Sequence, residues 1–329
     1  MAVGRYKIFL GFSVALALVA AVAAVCTGTV EIGLGDILTV FSGEKRGTDA
    51  VIIMQLRLPR LVAAFITGAS LALAGCGLQS VFRNPLAEPS ITGVSAGASL
   101  GAVAAIMFFE GTLALEISAF VFSAAASMLV CAIGSDSGKV NPTYTLLAGI
   151  AVNALCGAFV GLFMYTARDS GLKSFVFWTL GSFDKCDWRT VWVCAAISLP
   201  AYAIMLAQGK NLNALHLGDR QAFDIGVNVR RTQILVIFSA VAMTSASVAA
   251  CGTVGFIGLI IPHIARMLCG SDNRKIMPVC IFSGAALAMF SDVAARLLSP
   301  NDPVPVGVIT AMLGAPFFVY ILRRTRKNA

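Results

Sequence analysis

Long apolar runs broken by short polar stretches recur from one end of this chain to the other. A bilayer-crossing helix needs about 20 mostly apolar residues. Ten segments come near that length: 8–27, 61–82, 91–109, 112–134, 143–167, 188–207, 232–251, 252–269, 277–299 and 304–322. The pattern predicts an all-α integral membrane protein of about ten transmembrane helices, packed as one polytopic domain over residues 1–329. The weakest candidate is 252–269, which carries Pro262, His263 and Arg266 and follows its predecessor almost without a loop. The first run, from Ile8 to about Cys26, follows Arg5 and Lys7. It is longer than the apolar core of a cleaved signal peptide, so it reads as a retained span.

Composition agrees. Of the 329 residues, 58% are hydrophobic and only 12% charged, against about 25% charged in a soluble domain. Most of the surface therefore faces lipid. The net charge of +8 does not point to nucleic acid, because the basic residues are not gathered on one soluble module. They lie between apolar runs, with the largest groups at Lys210, Arg220, Arg230 and Arg231 and at Arg323, Arg324, Arg326 and Lys327. Counted along the ten-span topology, basic residues favour the side that holds both termini. Glu31, Asp36, Glu44, Asp49, Glu110, Asp169, Asp184, Asp187 and Asp302 fall on the other. Both termini are thus expected on the cytoplasmic side of a multi-pass protein of the cell membrane. Nine cysteines occur without a CxxC pair, mostly in apolar runs, and read as packing residues.

Small residues recur at four-residue spacing, as in Gly93, Gly97 and Gly101 and in Gly157 and Gly161. In lipid, helices associate by close packing, which small residues allow. Three features go beyond packing. The first is the turn Arg83-Asn84-Pro85-Leu86-Ala87-Glu88-Pro89, broken twice by proline. Such backbone survives between spans when it is buried or lines a water-filled path. The second is the segment 208–231, where Asp219 suits an N-cap and Gly226 a C-terminal stop. Its leucines, Phe223 and Ile225 are too apolar for a solvated loop, and fit either a membrane-surface helix or a knob seated in a soluble partner. The third is a set of arginines at span ends, Arg57, Arg60 and Arg296, for which snorkelling to the interface is the plain expectation. No phosphate-binding GxxxxGK[ST] loop and no HExxH pair occur, His216 and His263 are lone, and Asp292 is the clearest ionisable group deep in a span. No catalytic or metal site is expected.

Three blocks carry a family resemblance: LRLPRLVAAFITGASLALAGCGLQSVFRNPLAEPSITGVSAGASLGA (56–102), GTVGFIGLIIPHIARMLCG (252–270) and PVPVGVITAMLGAPFFVYILRR (303–324). They resemble, in order, signatures of the permeases that import iron–siderophore complexes, haem and vitamin B12, and the likeness runs from about residue 30 to 325. The resemblance implies a type II ABC importer permease with ten spans per subunit. It also implies a second copy of the permease, two cytoplasmic ATPase subunits that hold ATP and Mg, and an external binding protein, with no cofactor in this chain. By the same resemblance, Arg57, Arg60 and Arg296 receive acidic residues of the binding protein. Residues Leu217, Gly218, Asp219, Arg220, Gln221, Ala222, Phe223, Asp224, Ile225 and Gly226 seat in the ATPase. Asn84 and Leu86 form an inner gate, with Pro142 and Thr143 at a second. Asn141-Pro142-Thr143 stands where the vitamin B12 permease, which the chain otherwise resembles, has a threonine–serine pair. The expected cargo is a ferric siderophore or haem, with cobalamin second. An ion-coupled transporter would instead need a buried charge at the midplane, and an intramembrane enzyme a facing catalytic pair.

Overall fold

The computed structural model describes residues 2–30, 32–42, 47–109, 111–136, 139–299 and 304–328. Glu31, Glu44, Lys45, Arg46, Glu110 and Asp302, which enter the charge count above, lie outside them. The chain runs through α1 (Ala2–Cys26), α2 (Leu34–Phe41) and α3 (Thr48–Val51), then a π-helical turn (Ile52–Arg57) into α4 (Leu58–Val81). A 3₁₀ turn (Pro89–Thr92) precedes α5 (Val94–Phe108) and α6 (Thr112–Gly134), and a two-residue antiparallel pair, β1 (Ser135–Asp136) with β2 (Lys139–Val140), leads to α7 (Pro142–Thr166). Next come α8 (Asp169–Thr179), α9 (Trp188–Ala207), α10 (Gly209–Leu215) and α11 (Asp219–Asp224). The last four are α12 (Val229–Cys251), α13 (Ile257–Cys269), α14 (Asn273–Leu298) and α15 (Val306–Asn328).

The ten apolar runs each hold one helix, in order. Among the described residues seven helices are long and apolar enough to cross a bilayer, while α5, α13 and the apolar part of α15 are shorter. The run 252–269 is not helical throughout: helix begins at Ile257, and the preceding residues, glycine at 252 and 255 among them, form the connection from α12.

α4 is the axis of the bundle. Its sequence is mostly Ala, Gly, Ser and Leu, and from Ala63 to Val81 nearly every side chain is buried. Small residues let backbones touch. A Cβ on Gly75 would stand 1.9 Å from the carbonyl oxygen of Gly258, and one on Gly68 would stand 2.2 Å from that of Gly284. Phe65 and Phe282 meet edge to face, centroids 6.4 Å apart, and hold α14 along the same axis. Gly97 and Gly101 seat α5 against the backbone of α6, as their spacing predicts. Gly157 and Gly161 of α7 depart from that expectation. Among the described residues, nothing beyond their own helix turns lies within 4 Å of the Cβ either would carry. Their helix turns large residues outward, among them Leu147, Ile150, Leu162 and Tyr165.

Candidate pathway and docking sites

One end of the bundle gathers the polar turn after α4, the start of α7 and the short helices α10 and α11. Arg83, the second residue past α4, takes a left-handed backbone (φ 48°). Its Nε donates to the carbonyl of Leu215 (2.8 Å) and its guanidinium pairs with Asp219. Asn84 then folds the turn on itself: its side-chain oxygen accepts the amide of Leu86 (2.9 Å) and its carbonyl that of Ala87 (3.1 Å), a local closure typical of asparagine. Leu86 is left exposed at the tip. At the start of α7, Asn141 caps the helix by accepting from the amides of Thr143 (3.0 Å) and Tyr144 (3.3 Å). Pro142 occupies the first helical position, where a missing N–H costs nothing. Thr143 is exposed. Among the described residues no hydrogen bond joins Asn84 or Leu86 to Pro142 or Thr143. α7 instead meets the 3₁₀ turn, with Gly149 against the carbonyl of Ile91 and Asn153 Nδ2 donating to that of Ser90 (3.4 Å).

Glu88 is the functional candidate that the sequence reading passed over. Its Oε1 accepts the backbone N–H of Phe256 (2.9 Å) at the head of α13, where the helix dipole favours an anion. Phe256 itself is left-handed (φ 68°). Burial pushes the Glu88 carboxyl up, and the bonds from Phe256 and Ser90 only partly pull it back. Glu88 borders a cavity of about 360 Å³ with Ser90, Ser95, Ser99, Thr244 and Thr253, so hydroxyls and one carboxylate face a common space. Two irregular segments of the bundle, 83–93 and 252–256, thus meet at a cavity, where unpaired backbone can be hydrated. A carboxylate inside a proline-broken turn between two apolar runs was the available signal.

The segment 208–231 splits into two halves. In α10, Leu212 and Leu215 are buried. Asn213 accepts the amide of Asn273 (2.8 Å) and donates to Asp272 (2.7 Å). In and around α11, Leu217, Phe223 and Ile225 stand out, with Phe223 71% and Ile225 63% exposed. Asp219 falls one residue inside the helix, after Gly218, and Gly226 is left-handed (φ 88°) as a stop requires. Burial and the nearby charges of Arg266 and Arg83 push His216 down, and its Nε2 lies 3.2 Å from Asn273 Nδ2, an amide nitrogen that can only donate.

The opposite end holds the three arginines, and they do not snorkel. Helix α1 ends there with carbonyls that lack intrahelical partners. Arg57 Nη1 donates to the carbonyls of Val25 (2.5 Å) and Cys26 (3.1 Å), and its Nη2 to that of Val30. Arg296 donates to those of Thr27 (2.6 Å) and Ala24 (3.0 Å). Only 7% of Arg57 and 8% of Arg296 is exposed. Asp292, also buried, receives Arg60 through Nε (3.0 Å) and Nη2 (2.8 Å) and Arg296 through Nη2 (3.2 Å). The remaining arm of Arg60 reaches the exposed Asp184 (2.6 Å). Asp292 is therefore a counter-ion between two arginines. No cluster able to hold a metal ion occurs among the described residues.

The FecCD transport family matches residues 16–324. The chain is 36% identical to the hemin transport system permease protein HmuU of Yersinia pestis, over 98% of this chain and 97% of that one. It is 35% identical to the vitamin B12 import system permease protein BtuC of Citrobacter koseri, over 95% and 93%. A solved ABC transporter of metal-chelate type, in an inward-facing conformation, superposes with a TM-score of 0.86 at 31% identity, covering 97% of this chain and 99% of that one.

Proposed function

This chain belongs to the FecCD transport family, and from that premise we propose that it is the permease of an ATP-driven importer that carries an iron complex, a ferric siderophore or haem, into the cytoplasm. The observation that carries the reading is the likeness to the hemin permease along the whole chain. Cobalamin is the second reading, favoured by a nearly equal likeness to the vitamin B12 permease. Asn141-Pro142-Thr143 argues for the first. Pro142 opens α7 with a ring that offers no hydroxyl to a passing cargo.

In this proposal two copies stand side by side and the pathway runs between them. The bare glycine face of α7 supports that arrangement, because small residues without a neighbour among the described residues suit close approach of a second copy. The end bearing α10 and α11 is cytoplasmic. There the exposed Phe223 and Ile225 seat in an ATPase subunit that holds ATP and Mg, and each ATPase cycle moves the turn at Asn84 and Leu86. The arginine end is external and receives the binding protein. Arg60 is its best contact, since an incoming carboxylate could replace exposed Asp184 on its outer arm. Arg57 and Arg296 support that surface from beneath through their carbonyl partners. This chain performs no hydrolysis of its own in the cycle.

The test is uptake into proteoliposomes that hold the permease with its ATPase and binding protein, supplied in turn with haemin, a ferric hydroxamate siderophore and cyanocobalamin. ATP-dependent accumulation of haemin or the siderophore is expected. Accumulation of cyanocobalamin alone would overturn the cargo, and accumulation without ATP would overturn the class.

A further inference from the structure

Between α10–α11 and the cavity beside Glu88, a file of polar side chains runs through otherwise apolar helices, and Arg266 is its hub. Its Nη1 donates to Gln79 Oε1, and its Nη2 to Ser80 Oγ (3.1 Å) and the carbonyl of Cys76 (3.2 Å). Toward the short helices, Ser80 Oγ donates to Asn273 Oδ1 (3.0 Å), and Asn273 Nδ2 donates to His216, which links α10 to α11. Toward the cavity, Gln79 Nε2 donates to the carbonyls of Gly258 and Leu259 (3.4 Å each) in the first turn of α13. Two residues before Gly258 is Phe256, whose amide holds Glu88.

Gln79, Ser80 and Asn273 are all buried, and each would cost about 1–3 kcal/mol if left unpaired. An apolar contact would pack these helices as well, so the polar file calls for a different explanation. The backbone supplies an independent clue. Among the described residues only Arg83 and Phe256 are non-glycine with positive φ. They bracket the file, Arg83 at the Asp219 end and Phe256 at the Glu88 end. Such conformations persist only where the surroundings over-determine them, and they cluster at moving or functional sites. Directional bonds between rigid helices can hand on a displacement that apolar side chains would absorb by sliding.

We infer that Arg266 is a positioning residue that couples movement of α10–α11 to the head of α13, and through it to Glu88 and the cavity. The inference rests on the proposal that residues 217–226 seat an ATPase.

The test uses the permease assembled with its ATPase in proteoliposomes. A maleimide fluorophore reads a Leu86→Cys thiol with and without ATP, with labelling of the native cysteines subtracted. ATP changes the labelling rate in the parent. In Arg266→Gln, and in Arg266→Lys, which keeps the charge without the fork, that change should shrink roughly 2- to 30-fold. The ATPase should still copurify, and the unfolding midpoint should stay well above the assay temperature. Adding Asn273→Ala should cost little further response, because both changes cut one file. An unchanged ATP response, losses that add, or a loss that merely follows a lowered midpoint would each overturn the inference. Phe223→Asp keeps the premise separate. ATPase retained by that variant overturns the seat, whereas ATPase lost there with a normal response in the Arg266 variants overturns the relay alone.

Discussion

The two ends of this bundle use charge and apolar surface in opposite ways. At the arginine end, Arg57 and Arg296 are turned inward onto the last carbonyls of α1, and Arg60 gives two nitrogens to buried Asp292 and only one arm to exposed Asp184. At the other end the polar groups brace the short helices from within, and the apolar residues Phe223 and Ile225 face outward. Arginine at a span end therefore need not mark a docking contact, and a phenylalanine in a polar connection need not mark a core. The partner of each side chain decides. A helix whose terminal carbonyls arrive in an apolar bundle needs donors, and arginine supplies several in a fixed fork.

The comparison breaks most sharply at Arg296. Arg296→Glu would set a carboxylate beside Asp292 and strip Ala24 and Thr27 of their donors. Breaking a buried pair costs about 3–5 kcal/mol. Loss of monodisperse protein in detergent is expected before docking can be measured, and a well-folded variant would mean that this cluster does not hold α1. Phe223→Asp and Ile225→Asp probe the other end. Both side chains are largely exposed, so the unfolding midpoint should stay within the small range of surface changes, about 0.5 kcal/mol. Copurification of the ATPase should fall strongly, and its persistence would return 217–226 to a membrane-surface role.

A smaller effect is expected at the turn. Leu86→Ala removes the exposed tip without touching the Asn84 closure, and should raise ATP-independent leak of haemin from loaded proteoliposomes by a few-fold. An unchanged leak from an intact complex would make the turn a plain connection. The smallest effect concerns Asp272. Partial burial works to raise its carboxyl, but bonds from Arg274 and Asn213 and the Arg274 charge bring it down to about 2. A depressed carboxylate contributes stability above its unfolded value near 3.8 and loses it as pH falls through about 2. The midpoint of the parent should therefore drop more than that of Asp272→Asn across that window. Parallel curves would mean that the α10 brace adds nothing to stability.

Much of the fold was legible because lipid leaves few options: an apolar run of sufficient length becomes a helix, and each of the ten runs holds one. The same holds for the proline-broken turn, for Gly226 as a stop, and for Gly97 and Gly101 against α6, where local chemistry or spacing suffices. The 252–269 run read less well. Its hydropathy is continuous, while the partner that meets the helix start, Glu88 on the Phe256 amide, lies 168 residues away.

What tertiary structure alone decided is which side each residue faces and what it meets there. Hydropathy cannot separate α4 from α7, two helices of 24 and 25 residues. Yet α4 is buried almost throughout from Ala63 to Val81, while Gly157 and Gly161 of α7 have no neighbour beyond their own helix among the described residues. Nor could it tell that Arg57 and Arg296 would fold back to cap α1, or that Arg266 would join Gln79 to Asn273. Length and apolarity act along the chain and are readable there. A hydrogen bond between residues 27 to 272 positions apart is created only when packing brings them within about 3 Å.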